Sequence, residues 1–156
     1  MTESADRTIV YRSTRLRVLV TVASLALVFL SGLFWVALPA NLKAEFTLSQ
    51  AMTLLGILVF FVGALFVIGS GVVRAEPDEL YFRNGLSKHR YPWSQVSRVV
   101  LRPGDAWAQV LLVPVDRPVE EPADLEHRML MGIQTGDGQY ALDAIAELNR
   151  RAAAHS

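Results

Sequence analysis

Two runs without a single charged residue, 18–38 and 51–73, leave this 156-residue chain few folds to choose from. As a helix rising 1.5 Å per residue, the first is about 31 Å long against a bilayer hydrocarbon core of about 30 Å. The second is slightly longer and can cross with some tilt. A core helix of a soluble protein is interrupted by polar residues every turn or two, and neither run is broken up in that way. A cleaved signal peptide fits the first run poorly. Its apolar stretch exceeds the usual length of about 7 to 15 residues, and Leu38 would stand three residues before a cut after Ala40. Both runs are therefore expected to be retained transmembrane helices, with Pro39 ending the first and residues 39–50 connecting them.

Basic residues flank these spans unevenly. Arg7, Arg12, Arg15 and Arg17 lie in the N-terminal segment 1–17, and Arg74, Arg83, Lys88 and Arg90 follow the second span, against Lys43 in the connector. Retained positive charge marks the cytoplasmic side, so both termini are expected there and the connector outside, with the chain a multi-pass membrane protein. Tyr11 and Trp35 fall near span ends, where amphipathic rings settle among headgroups.

Within the spans, small residues recur at heptad spacing: Ser24 and Ser31 in the first, Gly56, Gly63 and Ser70 in the second. Small side chains on one face let two backbones approach where lipid supplies no hydrophobic drive, so these five are the expected helix-packing positions. Neither span holds an ionisable side chain, the usual mark of an ion path or proton relay, and a transporter or channel is not expected.

Residues 74–156 read as a small cytoplasmic domain. Short β-rich runs at 79–83, 86–91, 96–102, 106–113 and 127–134 are punctuated by Asn84-Gly85, by Pro103-Gly104-Asp105 and by Thr135-Gly136-Asp137-Gly138, which turns into a further run at 139–142. Strands of this number and spacing suggest an antiparallel barrel or two packed sheets. From Asp143, a plausible N-cap, to Ala154 the pattern turns helical. Leu142, Ile145, Leu148 and Ala152 form an apolar stripe, and Glu147 and Arg151 are spaced to pair. Segment 114–126, PVDRPVEEPADLE, cannot be a central strand with proline at every fourth position, and reads as an extended acidic insertion.

Strands first and one helix last is the order of a pleckstrin-homology (PH) domain. The segment from Glu79 to Gly85, ending in Asn84-Gly85, followed by the basic strand and the step Pro92-Trp93 leading to Val96, resembles the bacterial PH-like domains of small actinobacterial membrane proteins over residues 72–153. The fold class expected is thus α+β: a two-helix transmembrane hairpin followed by a small antiparallel β PH-like domain with a C-terminal helix. Pro92 restricts Tyr91 to extended geometry, and Trp93 is then placed to plug the core.

Chemistry is scarce. Fifteen Lys and Arg cancel fifteen Asp and Glu, which removes the bulk positive field of a nucleic-acid binder, and the absence of cysteine removes thiolate nucleophiles and Cys-based metal sites. His89, His127 and His155 are far apart, and Asp137-Gly138 lacks the remaining carboxylates of a calcium loop. No catalytic residue, metal or cofactor is expected, and the chain reads as a non-enzyme. On the strand after Asn84-Gly85, Lys88 and Arg90 share a face, and with Arg83 across the hairpin they form a candidate contact for lipid or partner. The leading expectation is a membrane-anchored interaction protein, an accessory or assembly subunit of a larger membrane complex, with a respiratory complex as one candidate. Its partners would be other integral membrane subunits, membrane lipid and a second copy of itself. The alternative is anionic-lipid headgroup sensing by the PH-like domain.

Overall fold

The computed structural model describes residues 7–116 and 118–155; the first six residues of segment 1–17, Arg117 of the acidic insertion and Ser156 lie outside the described residues. Two long apolar helices are flanked by a seven-stranded antiparallel domain. In chain order the elements are β1 (Ile9–Tyr11), α1 (Thr14–Ala37), α2 (Ala40–Glu45), α3 (Leu48–Gly69), β2 (Val72–Ala75), β3 (Glu79–Asn84), β4 (Ser87–Pro92), β5 (Val96–Val100), β6 (Trp107–Leu112), β7 (Glu126–Gln134) and α4 (Gln139–Ala154). Strands β1–β4 form one sheet and β5–β7 the other, each in sequential order.

Both long helices are set by caps. Ser13 accepts a bond from the Leu16 N–H at 3.2 Å, starting α1 one turn before the uncharged run and taking Arg15 and Arg17 into the helix. Thr47 and Gln50 form a reciprocal capping box that starts α3 within the expected connector, where α2 also lies. At the other end α3 stops at Gly69, four residues short of the expected 73, because Val72 and Val73 belong to β2. Both valines are buried, and a uniformly apolar run carries no period that separates helix end from buried strand.

The inward stripe of α1 is Val20, Ala23, Ser24, Leu27 and Ser31, and that of α3 includes Ala51, Leu58, Val62, Leu65 and Gly69. Ala23, Ser24 and Ser31 thus give α1 a face with little bulk where α3 brings larger side chains, and at the base the relation reverses, with a Cβ at Gly69 falling 3.3 Å from Val20 Cγ1. Ser24 and Ser31 lie on the expected face. Gly56 and Gly63 do not: a Cβ at either would meet nothing within 4 Å, and they face roughly 130° away around α3. The correction has a simple cause, since only one side of a close helix contact must be small, and Ala23, Ser24 and Ser31 provide it from α1. Ser70 caps α3, its hydroxyl donating to the Val67 carbonyl at 2.7 Å.

The β3–β4 turn also differs from expectation. Asn84 pairs with Ser87, so the two-residue loop is Gly85-Leu86 with Gly85 at φ +60°, a type II′ arrangement with glycine first. The register moves by two residues and every side chain keeps its face. Asn84 itself bridges the sheets. Its amide donates to the Met129 carbonyl at 2.6 Å and accepts from the Met131 N–H at 3.0 Å, standing in for a strand where β3 meets β7. Close by, β2 crosses β7, with Gly71 and Gly132 each set against the backbone of the other segment.

Residues 139–142 are the first turn of α4 rather than a strand, and Asp143 lies inside that helix. Gly138, at φ +60° and ψ −126°, breaks the preceding turn, and burial of Ala141, Ala144, Leu148 and Ala152 gives the stretch a helical period. Leu142 consequently turns outward and Ile145 is half-buried. Glu147 and Arg151 pair at 3.0 Å. Asn149 clamps α4 to β5, bonding both the N–H and the carbonyl of Val99 at 2.7 and 2.9 Å.

The core fills the space between the sheets and α4: Phe82, Trp93, Val99, Val110, Leu130, Ile133 and Leu148 are all buried. Trp93 sits there as its sequence position implies, with its indole N–H donating to the Glu76 carbonyl at 2.9 Å. Tyr11 joins the core from β1, and its hydroxyl pKa is pushed up to about 12 by burial first and by the Glu147 carboxylate second. Apart from Glu126, which opens β7, the acidic insertion forms no regular strand among its described residues; the Asp124 carboxylate accepts from the N–H groups of Glu120 and Glu121 and tightens a short turn at Pro122–Asp124.

Candidate functional site

Antiparallel pairing sets the cationic face directly. Arg83 lies opposite Lys88, Tyr81 opposite Arg90, and Arg74 opposite Tyr81, so all four basic residues project from the same side of the first sheet. Their surroundings then separate them. Arg90 is ion-paired with Glu79, lies 4.0 Å from Glu76, and places its guanidinium 5.0 Å from the Tyr81 ring centre. Arg74 rests against the same ring at 5.5 Å. Lys88 is exposed, and Arg83 turns toward the helix pair, donating to the Ser70 carbonyl at 3.0 Å. The expected trio of Arg83, Lys88 and Arg90 therefore shares a face without forming one site: acids neutralise Arg90, and Arg83 serves a different neighbourhood.

That neighbourhood is a cleft of about 180 Å³ between the base of the helices and the domain, and it brings Arg12 and Arg17 alongside Arg83. Arg12 follows β1 and Arg17 lies in the first turn of α1. They reach Arg83 because β1 pairs with β2 and β2 with β3, with Tyr11 opposite Val73 and Val73 opposite Phe82. None of the three guanidinium groups has a carboxylate within 4 Å among the described residues. The Arg83 Nε is buried without a hydrogen-bond partner. On the helix side Arg17 and Thr21 line it together with the apolar Val20 and Phe66, of which Phe66 is exposed. Sequence reasoning missed this grouping, because a three-residue strand ahead of a long apolar helix gives too little alternation to be read as part of a later sheet.

Other polar residues serve local packing. The Asp137 carboxylate and the Gln134 side-chain oxygen both accept from the Ser13 hydroxyl, at 3.0 and 3.1 Å, and Arg15 donates to the Gly136 carbonyl at 2.6 Å. These contacts fix the start of α1 against the end of β7. His89 stacks on Phe82, His127 meets Gln109 and His155 stacks on Trp93, three separate environments. Among the described residues no group of three His, Cys, Asp or Glu is placed to hold a metal.

The sequence profile described as Bacterial PH domain matches residues 72–151. The chain belongs to this family. The matched segment covers β2 to β7 and most of α4, whereas β1, α1 and α3 lie outside it. Comparison with curated proteins and with solved structures gives no match. A PH-like domain is typically a non-catalytic module, compatible with protein interaction or lipid binding, and the two apolar helices beside it are long enough to span a membrane.

Proposed function

We propose that this chain is a non-enzymatic, membrane-anchored interaction protein whose helix pair spans a bacterial plasma membrane and holds the PH-like domain rigidly at its cytoplasmic face. The observation that carries this reading is topological: the helix pair is inserted between β1 and β2, which are hydrogen-bonded neighbours. Arg12 and Ser13 join β1 to α1, and Ser70 and Gly71 join α3 to β2, so neither connection has slack for swinging. Ser13 and Arg15 add bonds from the helix base to the end of β7. A domain fixed at two points keeps one orientation relative to the bilayer, as a subunit docking against neighbouring membrane proteins requires.

The partners that fit are other integral membrane subunits of a larger complex, in an accessory or assembly role. The exposed flanks of α1 and α3 support this. Gly56 and Gly63 leave a shallow strip on α3 facing away from α1, where another helix could come close.

Reporter fusions at both termini and within the connector test the anchoring. Both ends are expected to report cytoplasmic and Lys43 external, since eight basic residues flank the spans on one side and one on the other. An external C-terminus would overturn the topology. For the interaction role, the tagged chain should copurify with defined membrane subunits from its native membrane in mild detergent. Changing Lys88 and Arg90 to Glu is expected to leave that copurification intact, because Arg90 is already committed to Glu79. Loss of all partners in this variant, with the domain folded, would favour headgroup recognition by the cationic face instead.

A further inference from the structure

We propose that the cleft formed by Arg12, Arg17 and Arg83 binds the phosphodiester of an anionic membrane phospholipid, whose chain lies along the exposed Phe66 ring; this rests on the membrane reading above. Three guanidinium groups gathered in one concavity repel one another, and no carboxylate lies within 4 Å of them among the described residues. The buried Arg83 Nε lacks an acceptor. Buried donors in folded proteins are nearly always satisfied, and arginine forks match phosphate oxygens in geometry and charge. At about 180 Å³, where a single water needs about 10–15 Å³, the cleft has room for a phosphodiester and part of its glycerol.

Its depth selects a lipid over a soluble phosphate ester. Arg17 is the last charged residue before the uncharged run of α1, and Arg83 bonds the carbonyl of Ser70, which caps α3. With the helices spanning, both lie where bilayer phosphates lie, and Phe66 begins the acyl region one turn deeper. A second feature marks the same level. Gly85 packs so closely on α3 that a Cβ there would stand 2.8 Å from Val67 Cγ1, and the adjoining Leu86, 83% exposed, sits at the tip of the turn. An exposed leucine beside the last turn of a spanning helix is placed to dip among lipids. Two of the three arginines, together with Val20 and Phe66, lie outside the segment that matches the PH family, so the site belongs to this arrangement of helices and strands.

The test uses the full chain in a neutral mild detergent, titrated with phosphatidylglycerol, with phosphatidylcholine of the same chains, or with glycerol phosphate. Retained lipid is read by native mass spectrometry and thermal stability by melting. Phosphatidylglycerol should be retained one to one and raise the melting temperature, and the other two should do neither. Arg17→Gln, whose side chain makes no bond the fold needs, should weaken retention roughly fivefold, and Arg12→Gln with Arg17→Gln roughly 25-fold. Lys88→Gln with Arg90→Gln removes as much charge outside the cleft and should change retention less than about twofold. Equal retention of phosphatidylcholine, equal loss in both double variants, or stabilisation by glycerol phosphate alone would overturn the proposal. Spanning helices without lipid retention would remove this site and leave the anchoring, whereas a chain that stays monodisperse without detergent would remove both.

Discussion

Replacing Gly132 by alanine is expected to unfold the domain or lower its melting temperature by roughly 10 °C or more, from an overpacking cost of about 3 kcal/mol. An added Cβ would stand 2.7 Å from the Val73 nitrogen and 2.9 Å from the Val72 carbonyl carbon. Both are backbone atoms, so no rotamer change can relieve the contact. Gly71, just before β2 at the same crossing, meets the Met131 backbone at 2.8 Å in the same way. The only relief is to part β2 from β7, which would expose Val73 and Phe82 and loosen the root of α3. Gly136→Ala is the matched control: its Cβ would find one side-chain atom at 3.9 Å, and its φ is not positive. Melting of the full chain in detergent, followed by tryptophan fluorescence, should separate the two variants clearly. A Gly132→Ala protein as stable as Gly136→Ala would mean that β2 and β7 do not cross in this way.

What could be read from the sequence follows from the length of each signal. Runs of 21 and 23 uncharged residues announce the two apolar helices, and proline, glycine and asparagine bracket β3 to β7 closely. Trp93 and the Glu147–Arg151 pair were visible from local context alone. Short or merged signals were not. Ile9–Tyr11 is too brief to show alternation, and Val72–Ala75 is concealed by the apolar run before it. Tyr140 and Leu142 suit a strand locally, and only burial of Ala141 and Ala144 against the sheets makes that stretch helical. The cleft was least accessible of all. It assembles residues 12, 17 and 83 through the β1–β2–β3 ladder, and no spacing within any one segment reports that juxtaposition.

Arg151→Met should destabilise the chain by about 3 kcal/mol, in the range for removing one partner from a buried, hydrogen-bonded charge pair. Arg151 is 4% exposed and donates to the Ala75 carbonyl at 2.9 Å, to the Arg7 carbonyl at 2.7 Å and to the Glu147 carboxylate at 3.0 Å. One side chain on α4 thereby holds the end of β2 and the residues that lead into β1. Methionine keeps much of the aliphatic volume and removes every one of these donations. The consequence reaches beyond α4. Releasing Arg7 frees the start of β1, and β1 positions Arg12 at the cleft and braces the entry to α1. Trypsin should therefore cut at Arg12 sooner in Arg151→Met than in the parent chain. The neighbouring Arg150 is exposed and also pairs with Glu147, yet a surface pair of this kind contributes less than about 1 kcal/mol. Arg150→Met should accordingly melt within a few degrees of the parent and show unchanged cleavage at Arg12. If the two variants behave alike, the N-terminal strand is held by its ladder with β2 and by Tyr11 in the core rather than by the α4 arginine.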